Sequence, residues 1–227
     1  MKALCVVQAR MGSTRLPGKV MAEIGGRPSL VLMLDRLAHL AVDQLVVATS
    51  TLPGDDRIEV VGRETSVPVV RGPEEDVLAR FIVAVDAYPA THVIRLTADC
   101  PLMDPALVAT ALDLVTRDGA DYASNTLHRT FPDGLDVEVV TAAALREAAA
   151  EAVDSYEREH VTPFIYRRPD RYKLAGFESG EDLGDERWTL DTAEDLERIR
   201  GIVDRLEDPI TAGWRDILAV AGIEHRS

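Results

Sequence analysis

The chain has 227 residues, of which 46% are hydrophobic and 28% are charged, and its formal net charge is −14. This length fits one domain with a full hydrophobic core, and the composition is that of an ordinary globular protein. The acidic balance argues against broad binding to nucleic acid or to anionic membranes, because no basic face could dominate the field of the protein. No run approaches the roughly 20 apolar residues of a membrane helix, and the N-terminus lacks the layout of a signal peptide. We therefore expect a cytoplasmic protein that binds neither nucleic acid nor a membrane.

In the first half of the chain, short apolar runs alternate with segments in which apolar residues recur at helical spacing. The predicted strands cover residues 3–7, 44–49, 67–70, 92–97 and 120–124. The predicted helices cover residues 29–40, 55–64, 74–88 and 105–117, the last with Asp104 as N-cap and Pro105 at its first position. Alternating strands and helices predict βαβ units with right-handed crossovers and a mostly parallel sheet.

The second half of the chain has a different pattern. Polar and apolar residues alternate over 136–139, which is typical of a half-buried antiparallel strand. Further strands are predicted at 172–177 and 187–190, and further helices at 141–152, 155–168, 192–206 and 211–221. We interpret residues 1–227 as one α/β domain with an inserted antiparallel arm at about 125–185.

The first strand leads into a loop with the composition of an anion site. Small residues there let backbone amides approach phosphate oxygens, and three cations can neutralise the charge: Arg10, Arg15 and Lys19. The spacing excludes a Walker A loop, because five residues separate Gly12 from Gly18 and Val20 follows the lysine. The dinucleotide fingerprint G-x-G-x-x-G is absent as well. A plain surface turn would explain the glycines but not the cations, so we interpret the loop as a nucleoside triphosphate site.

Two aspartates follow predicted strands and are candidates for a metal site. Asp99 comes after the strand at 92–97, and Asp191 lies between the strand at 187–190 and a helix. Phosphoryl transfer needs a metal beside the phosphates, and ligands of a parallel sheet bind beyond the carboxyl ends of its strands. A structural role is the alternative for each residue, as a turn cap before Pro101 and as a helix cap.

The letters Q-A-R-M-G-S-T-R-L-P-G-K-V at residues 8–20 and R-W-T-L-D-T-A-E-D-L at residues 187–196 resemble motifs of the SpsF-like cytidylyltransferase family. That family is related to the CMP-KDO and CMP-acylneuraminate synthetases, and the resemblance runs from about residue 2 to residue 203. It implies a three-layer, Rossmann-like nucleotidyltransferase fold with a mostly parallel sheet, and a homodimer. The implied reaction is transfer of CMP from CTP to a small acidic acceptor, such as a nonulosonic or deoxyulosonic acid, with release of pyrophosphate. Polysaccharide or glycoconjugate biosynthesis is the implied setting.

The same resemblance implies roles for individual residues. Those expected to bind the nucleotide are Ala9, Arg10, Gly12, Ser13, Arg15, Lys19, Arg71 and Thr97. Asp99 and Asp191 are expected to hold Mg²⁺ and, with Arg15 and Lys19, to form the catalytic group. No side chain stands out as a general base.

The acceptor side is less defined by the sequence. The segments at 124–138 and 155–163 match acceptor-side motifs of the family, which implies substrate roles for Asp133, Asp136, Glu138 and His160. His160 is equally well explained as a packing or capping residue. Two carboxylates facing an acidic acceptor are unusual unless one binds amines or hydroxyls or orders an arginine. Four arginines are available to hold an acceptor carboxylate or phosphonate: Arg129, Arg158, Arg167 and Arg168.

Three alternatives remain open at this point. The acceptor could be a phosphonate or another small acid, and the nucleotide could carry another base. The chain could also be a non-catalytic nucleotide-binding protein of a polysaccharide cluster. A glycosyltransferase of similar fold is disfavoured, because the D-x-D motif of such enzymes is replaced by Thr97-Ala98-Asp99.

Overall fold

The computed structural model describes residues 1–222 and confirms an α/β fold. The strands in chain order are β1 (Ala3–Gln8), β2 (Glu23–Ile24), β3 (Arg27–Pro28), β4 (Gln44–Ser50), β5 (Val69–Gly72), β6 (His92–Thr97), β7 (Tyr122–Ser124), β8 (Glu138–Thr141) and β9 (Leu174–Gly176). The helices are α1 (Ser29–Leu37), α2 (Asp56–Thr65), α3 (Val77–Ala87), α4 (Pro105–Asp118), α5 (Ala142–Glu151), α6 (Ser155–His160), α7 (Pro163–Tyr166), α8 (Ala193–Val203) and α9 (Trp214–Ala221). Short 3-10 turns lie at Lys19–Met21 and Pro53–Asp55.

Over residues 1–222 the main sheet has seven strands in the order β5-β4-β1-β6-β8-β7-β9. β1 pairs in parallel with β4 and β6, and β4 pairs in parallel with β5. β8 runs antiparallel to both β6 and β7, whereas β9 is parallel to β7. A separate antiparallel pair, β2 and β3, follows the first loop. The sheet is therefore mostly parallel, as predicted, and β8 is the strand that runs in the opposite direction.

Alternating side chains of the sheet build a hydrophobic core on each face. Along β1, Ala3, Cys5 and Val7 pack into one core with α1, α2, α4, α8 and α9. Leu4 and Val6 pack into the other core with α3, α5 and α7. Because successive strand residues point to opposite faces, both faces of the sheet must be covered, and three layers result. Among residues 1–222, no helix has both the length and the apolar character that a bilayer crossing requires.

The strand predicted at 187–190 is wrong. Within the described residues 1–222, Arg187 is the only residue of this segment that forms a β-bridge, and its partner is Asp133. The backbone N–H of Trp188 donates to Asp133 O at 2.6 Å, and that of Leu190 donates to Asp99 O at 2.7 Å. The segment thus donates backbone hydrogen bonds to Asp133 and to Asp99. It connects the chain around these two residues without forming the ladder of a strand.

The helix predicted at 155–168 is two short helices. Val161 has φ of +73°, which no α-helix accommodates, and Pro163 then begins α7. His160 is consequently the last residue of α6. The helix predicted from residue 74 begins at Val77, because the Asp76 side chain caps it by accepting a hydrogen bond from the N–H of Ala79.

Gly134 offers a test of how tightly the segments at 133–135 and 187–189 are joined. Its φ is +111°, and a Cβ atom there would lie 2.5 Å from the carbonyl carbon of Trp188. We expect Gly134→Ala to lower the free energy of unfolding, measured by urea denaturation, by about 3 kcal/mol because strain and a backbone clash combine.

Gly180→Ala is the matched control for this change. Gly180 also has a positive φ, +87°, but a Cβ atom there would meet nothing within 4 Å. Strain alone should cost about 1–2 kcal/mol. Equal losses for the two variants would contradict the close backbone packing at Gly134.

Candidate active site

A cavity of about 730 Å³ opens beyond the carboxyl ends of β1 and β6. We call it the nucleotide cavity. This is the edge at which a parallel sheet of this kind binds its ligands. Most of the residues that the sequence assigns to the nucleotide or to catalysis line it: Ala9, Arg10, Gly12, Ser13, Arg15, Lys19, Thr97, Asp99 and Asp191.

Arg71 is the exception, because it does not line the nucleotide cavity. Its guanidinium donates hydrogen bonds to the carbonyl oxygens of Ser50 and Leu52, both at 2.7 Å, and forms an ion pair with Asp56. These contacts hold the turn between β4 and α2.

The loop after β1 is shaped by its own backbone and by one buried carboxylate. Gly18 adopts a left-handed φ of +72°, and its N–H donates to Met11 O at 3.0 Å, which closes the loop. The N–H of Met11 donates to Asp55 Oδ1 at 2.7 Å. Asp55 also accepts hydrogen bonds from the N–H and hydroxyl groups of Ser50 and is 3% exposed. Asp55, which the sequence did not single out, therefore fixes the loop to the end of β4.

Lys19 connects the two candidate metal ligands. Its Nζ lies 2.8 Å from Asp99 Oδ2 and 2.8 Å from Asp191 Oδ1. Burial by itself lowers the pKa of the Lys19 ammonium, but attraction by Asp99 and hydrogen bonds to both aspartates raise it above its ordinary value. The lysine is therefore charged, and three segments that are distant in sequence meet at one nitrogen atom.

Asp191 has two further cationic partners. Its Oδ2 lies 3.0 Å from Arg15 Nη2 and 2.7 Å from Arg187 Nη2. Burial raises the pKa of the Asp191 carboxyl, yet hydrogen bonds and charge from Lys19, followed by those from Arg187 and Arg15, bring it below its ordinary value. The side chain of Asp191 is consequently ionised at neutral pH.

Sequence reasoning missed Arg187, which joins three carboxylates. Besides Asp191 it contacts Asp133 Oδ2 at 2.9 Å and Asp195 Oδ1 at 3.1 Å. Asp195 in turn completes a capping box with Thr192 at the start of α8. The only sequence signal for Arg187 was its position at the head of the second family motif. Asp133, an expected acceptor residue, is one of these three carboxylates. It lines neither the nucleotide cavity nor the second cavity that adjoins it.

The two aspartates fit a hard divalent cation. Their oxygens already converge on one positive charge, the Lys19 ammonium, and carboxylate oxygens are the ligands that Mg²⁺ prefers. Among residues 1–222, no group of three or more histidine, cysteine, aspartate or glutamate side chains is arranged to hold a metal. A cation bound here would take its remaining ligands from phosphate and water, as Mg²⁺ commonly does.

A second cavity of about 480 Å³ adjoins the first, and we call it the acceptor cavity. The two share Arg95, Thr97 and His160 in their linings. Asp136 and Glu138, two of the expected acceptor residues, line the acceptor cavity together with Tyr156 and Tyr166. His160 packs against the ring of Tyr156 at a centroid distance of 4.2 Å.

Glu138 lies at the centre of a buried hydrogen-bond network. It accepts from the Tyr122 hydroxyl at 2.6 Å, from Thr162, and from the Arg95 guanidinium, its cross-strand neighbour. Burial and the Glu138 charge raise the pKa of Tyr122 well above its ordinary value, so its hydroxyl keeps its proton and remains a donor. The network fixes the wall between the two cavities.

The four arginines considered for the acceptor acid are all engaged. Arg129 holds Asp136 with two hydrogen bonds of 2.7 and 2.6 Å, and it is the only one of the four that lines the acceptor cavity within the described chain. Arg158 pairs with Asp76, and Arg168 pairs with Glu157. The guanidinium of Arg167 stacks on the ring of Tyr156. An arginine that is already paired with a carboxylate or stacked on a ring is less available to bind the acid group of an acceptor.

The sheet topology, the loop after β1 and the carboxylate pair at the carboxyl edge define a protein of the nucleotidyltransferase class. A sequence model of the cytidylyltransferase family matches residues 4–208. The chain belongs to the cytidylyltransferase family.

Relatives agree with this assignment. The spore coat polysaccharide biosynthesis protein SpsF of Bacillus subtilis is 36% identical over 207 residues, which are 88% of this chain and 85% of SpsF. The structure of a cytidylyltransferase from Leptospira borgpetersenii is 31% identical, with a TM-score of 0.94, and the match covers 98% of this chain and 94% of that one. The structure of CMP:2-keto-3-deoxy-manno-octonic acid synthetase complexed with CTP has a TM-score of 0.68 at 19% identity, covering 90% and 99% of the two chains. The last comparison shows a shared fold.

Asp55 provides a pH-dependent test of loop anchoring. Burial raises the pKa of its carboxyl, but hydrogen bonds from Ser50 and Met11 bring it below the ordinary value. Because the folded pKa lies below the unfolded one, this stabilisation is complete above roughly pH 4 and is lost as the pH falls through the folded pKa. We expect Asp55→Asn to cost about 1.5–3 kcal/mol at neutral pH, and the difference from wild type to shrink as the pH falls below roughly 4.

Urea denaturation over a series of pH values measures this difference. Asp56→Asn changes the neighbouring carboxylate, which is 64% exposed, and should lower stability far less. A difference for Asp55→Asn that stays constant down to the acid limit would contradict the anchoring role.

Proposed function

We propose that the chain transfers the CMP group of CTP to a hydroxyl group of a small acidic acceptor and releases pyrophosphate, with Mg²⁺ as the cofactor. The observation that carries this proposal is the contact of Lys19 with Asp99 and Asp191 in the nucleotide cavity, which shares part of its lining with the acceptor cavity. One cavity has the cations that a triphosphate needs, and the other has polar groups for an acceptor. The CTP complex of the synthetase with the same fold supports CTP as the donor.

In the reaction, the acceptor oxygen attacks the α-phosphorus and forms a new P–O bond. The bond from that phosphorus to the bridging oxygen of the β-phosphate breaks, pyrophosphate leaves, and the proton of the acceptor hydroxyl passes to water. Arg15 and Lys19 would bind the phosphates and neutralise the leaving group. Asp99 and Asp191 would hold Mg²⁺, which when bound lowers the pKa of the acceptor hydroxyl and stabilises phosphate charge.

The charges of the acceptor cavity support one orientation of the acceptor. Within the described chain, each arginine that lines this cavity is paired with a carboxylate: Arg95 with Glu138 and Arg129 with Asp136. An acid group would find no unpaired cation there, whereas hydroxyl or amine groups could donate to Asp136. We infer that the acid group of the acceptor lies towards the nucleotide cavity. A 2-ulosonic sugar acid meets this requirement, since its acid group is adjacent to the hydroxyl that reacts.

Other parts of the sequence analysis stay predictions. These are the homodimer, the cytoplasmic location, the absence of nucleic-acid partners, and the division into one domain with an arm at about 125–185. The roles of the individual site residues are likewise proposals.

Isothermal titration calorimetry in the presence of Mg²⁺ tests the donor. We expect CTP to bind more tightly than UTP, GTP or ATP by about tenfold or more, because a base pocket that hydrogen-bonds one base leaves polar groups unpaired with another. Equal binding of all four nucleotides would contradict the assignment of CTP.

Pyrophosphate release tests catalysis and the role of Asp99. With CTP, Mg²⁺ and a panel of eight-carbon deoxyulosonic and nine-carbon nonulosonic acids, the wild-type protein should release pyrophosphate. Asp99→Asn should lower the rate by about 100-fold or more. The variant would hold Mg²⁺ poorly, and the negative charge that develops on the phosphate in the transition state would lose that cation. Asp113→Asn alters an exposed carboxylate of α4 and should leave the rate unchanged. Release of pyrophosphate by Asp99→Asn at the wild-type rate would overturn the role of Asp99.

A further inference from the structure

Asp99 and Asp191 are already engaged by cations of the protein itself. Two carboxylates face three cations, which are Lys19, Arg15 and Arg187. Lys19 takes one oxygen of each aspartate, and the two arginines share the remaining oxygen of Asp191. A divalent cation that approached this pair would be repelled by the nearby Lys19 and Arg15 and would meet oxygens that already accept hydrogen bonds.

The Lys19 ammonium also stands where such a cation would bind. Its nitrogen is 2.8 Å from an oxygen of each aspartate, and its side chain is only 13% exposed. A metal bound by both carboxylates would need the same space, and ammonium and metal would repel one another strongly at that distance. Lysine and metal therefore exclude each other from the position between the aspartates.

The cations differ in their freedom to leave. Arg15 and Lys19 line the nucleotide cavity, and the Arg15 side chain is 61% exposed. Arg187 does not line that cavity and is held by Asp133 and Asp195 as well as by Asp191. An anionic triphosphate in the cavity would attract Arg15 and Lys19 but leave Arg187 in place. The local charge would then become more negative, because Lys19 and Arg15 would no longer face the two carboxylates and Arg187 is shared with Asp133 and Asp195.

We propose that Lys19 fills the metal position in the nucleotide-free protein, and that the triphosphate draws it away so that the metal enters only with the nucleotide. The substrate is then a metal–nucleoside triphosphate complex, and the protein alone has little affinity for divalent cations. This inference rests on the proposed nucleotide site. Thermodynamic linkage requires the reciprocal effect, that the metal strengthens nucleotide binding by the same factor.

Mn²⁺ binding, followed by the electron paramagnetic resonance signal of the free ion, tests this without an acceptor or turnover. Nucleotide-free wild-type protein should bind Mn²⁺ weakly. Lys19→Gln should bind Mn²⁺ about tenfold more tightly or better, since one close positive charge is removed at an effective dielectric constant of about 20. The gain should disappear in the double variant Lys19→Gln/Asp99→Asn, which removes one of the released carboxylates.

Arg10→Gln is the matched control. Arg10 also lines the nucleotide cavity, but among residues 1–222 it forms no ion pair, so its removal deletes a charge without releasing an aspartate. Mn²⁺ affinity of Arg10→Gln should stay at the wild-type value. Circular dichroism and thermal unfolding establish that each variant is folded, and Lys19→Met replaces Lys19→Gln if the latter is not.

Three results would overturn the proposal. They are tight Mn²⁺ binding by the nucleotide-free wild-type protein, equal Mn²⁺ affinities of wild type and Lys19→Gln, and an equal gain in Arg10→Gln. The first needs no variant, so the proposal is testable whatever the variants do. If CTP binds in calorimetry while any of these results is obtained, only the role of Lys19 fails. If CTP does not bind although Lys19→Gln gains Mn²⁺ affinity, the proposed function fails instead.

Discussion

The contact of Lys19 with two aspartates organises the candidate active site. The lysine lies 80 residues from Asp99 and 172 residues from Asp191 along the chain, yet all three meet within hydrogen-bond distance. They meet because β1 and β6 are adjacent parallel strands whose carboxyl ends lie at the same edge, and because the backbone of Leu190 hydrogen-bonds to Asp99. A partly buried ion pair is costly when one partner is missing, so each of these segments depends on the others.

This arrangement also explains how a strongly acidic protein can form a site for an anion. The chain carries a net charge of −14, but three cations contact the single carboxylate of Asp191: Lys19, Arg15 and Arg187. Short ion pairs in partly buried positions outweigh distant surface charges, which salt and water screen. Arg187 keeps Asp191 in place through its contacts with Asp133 and Asp195, whereas Lys19 and Arg15 are available to a ligand in the cavity. The candidate site thus contains one cation that is fixed by further carboxylates and two cations that line the nucleotide cavity.

The lining of the acceptor cavity depends on a different feature, which is the break between α6 and α7 at Val161. Val161 ends α6 with a positive φ, so that His160 is the last helical residue and contributes to both cavities. Thr162, one residue later, donates a hydrogen bond to Glu138 and so connects the break to the wall formed by β6 and β8. Among residues 1–222, each arginine that lines this cavity is paired with a carboxylate, which leaves the cavity without a free guanidinium for an acid group.

The sequence alone determined the mostly parallel sheet, the loop after β1 and the two aspartates, because strand periodicity, turn residues and short motifs are encoded by neighbouring letters. The role of Arg71, the missing ladder at 187–190, the break at Val161 and the contacts of Arg187 and Arg95 came only from the tertiary structure. Arg71 follows a predicted strand and Arg187 begins one, and neither position in the sequence indicates a partner, but one arginine holds a turn and the other holds Asp191. Such differences depend on which distant segments pack together, and the energies of ion pairs and buried hydrogen bonds depend on distance in space and burial, which residue spacing does not specify.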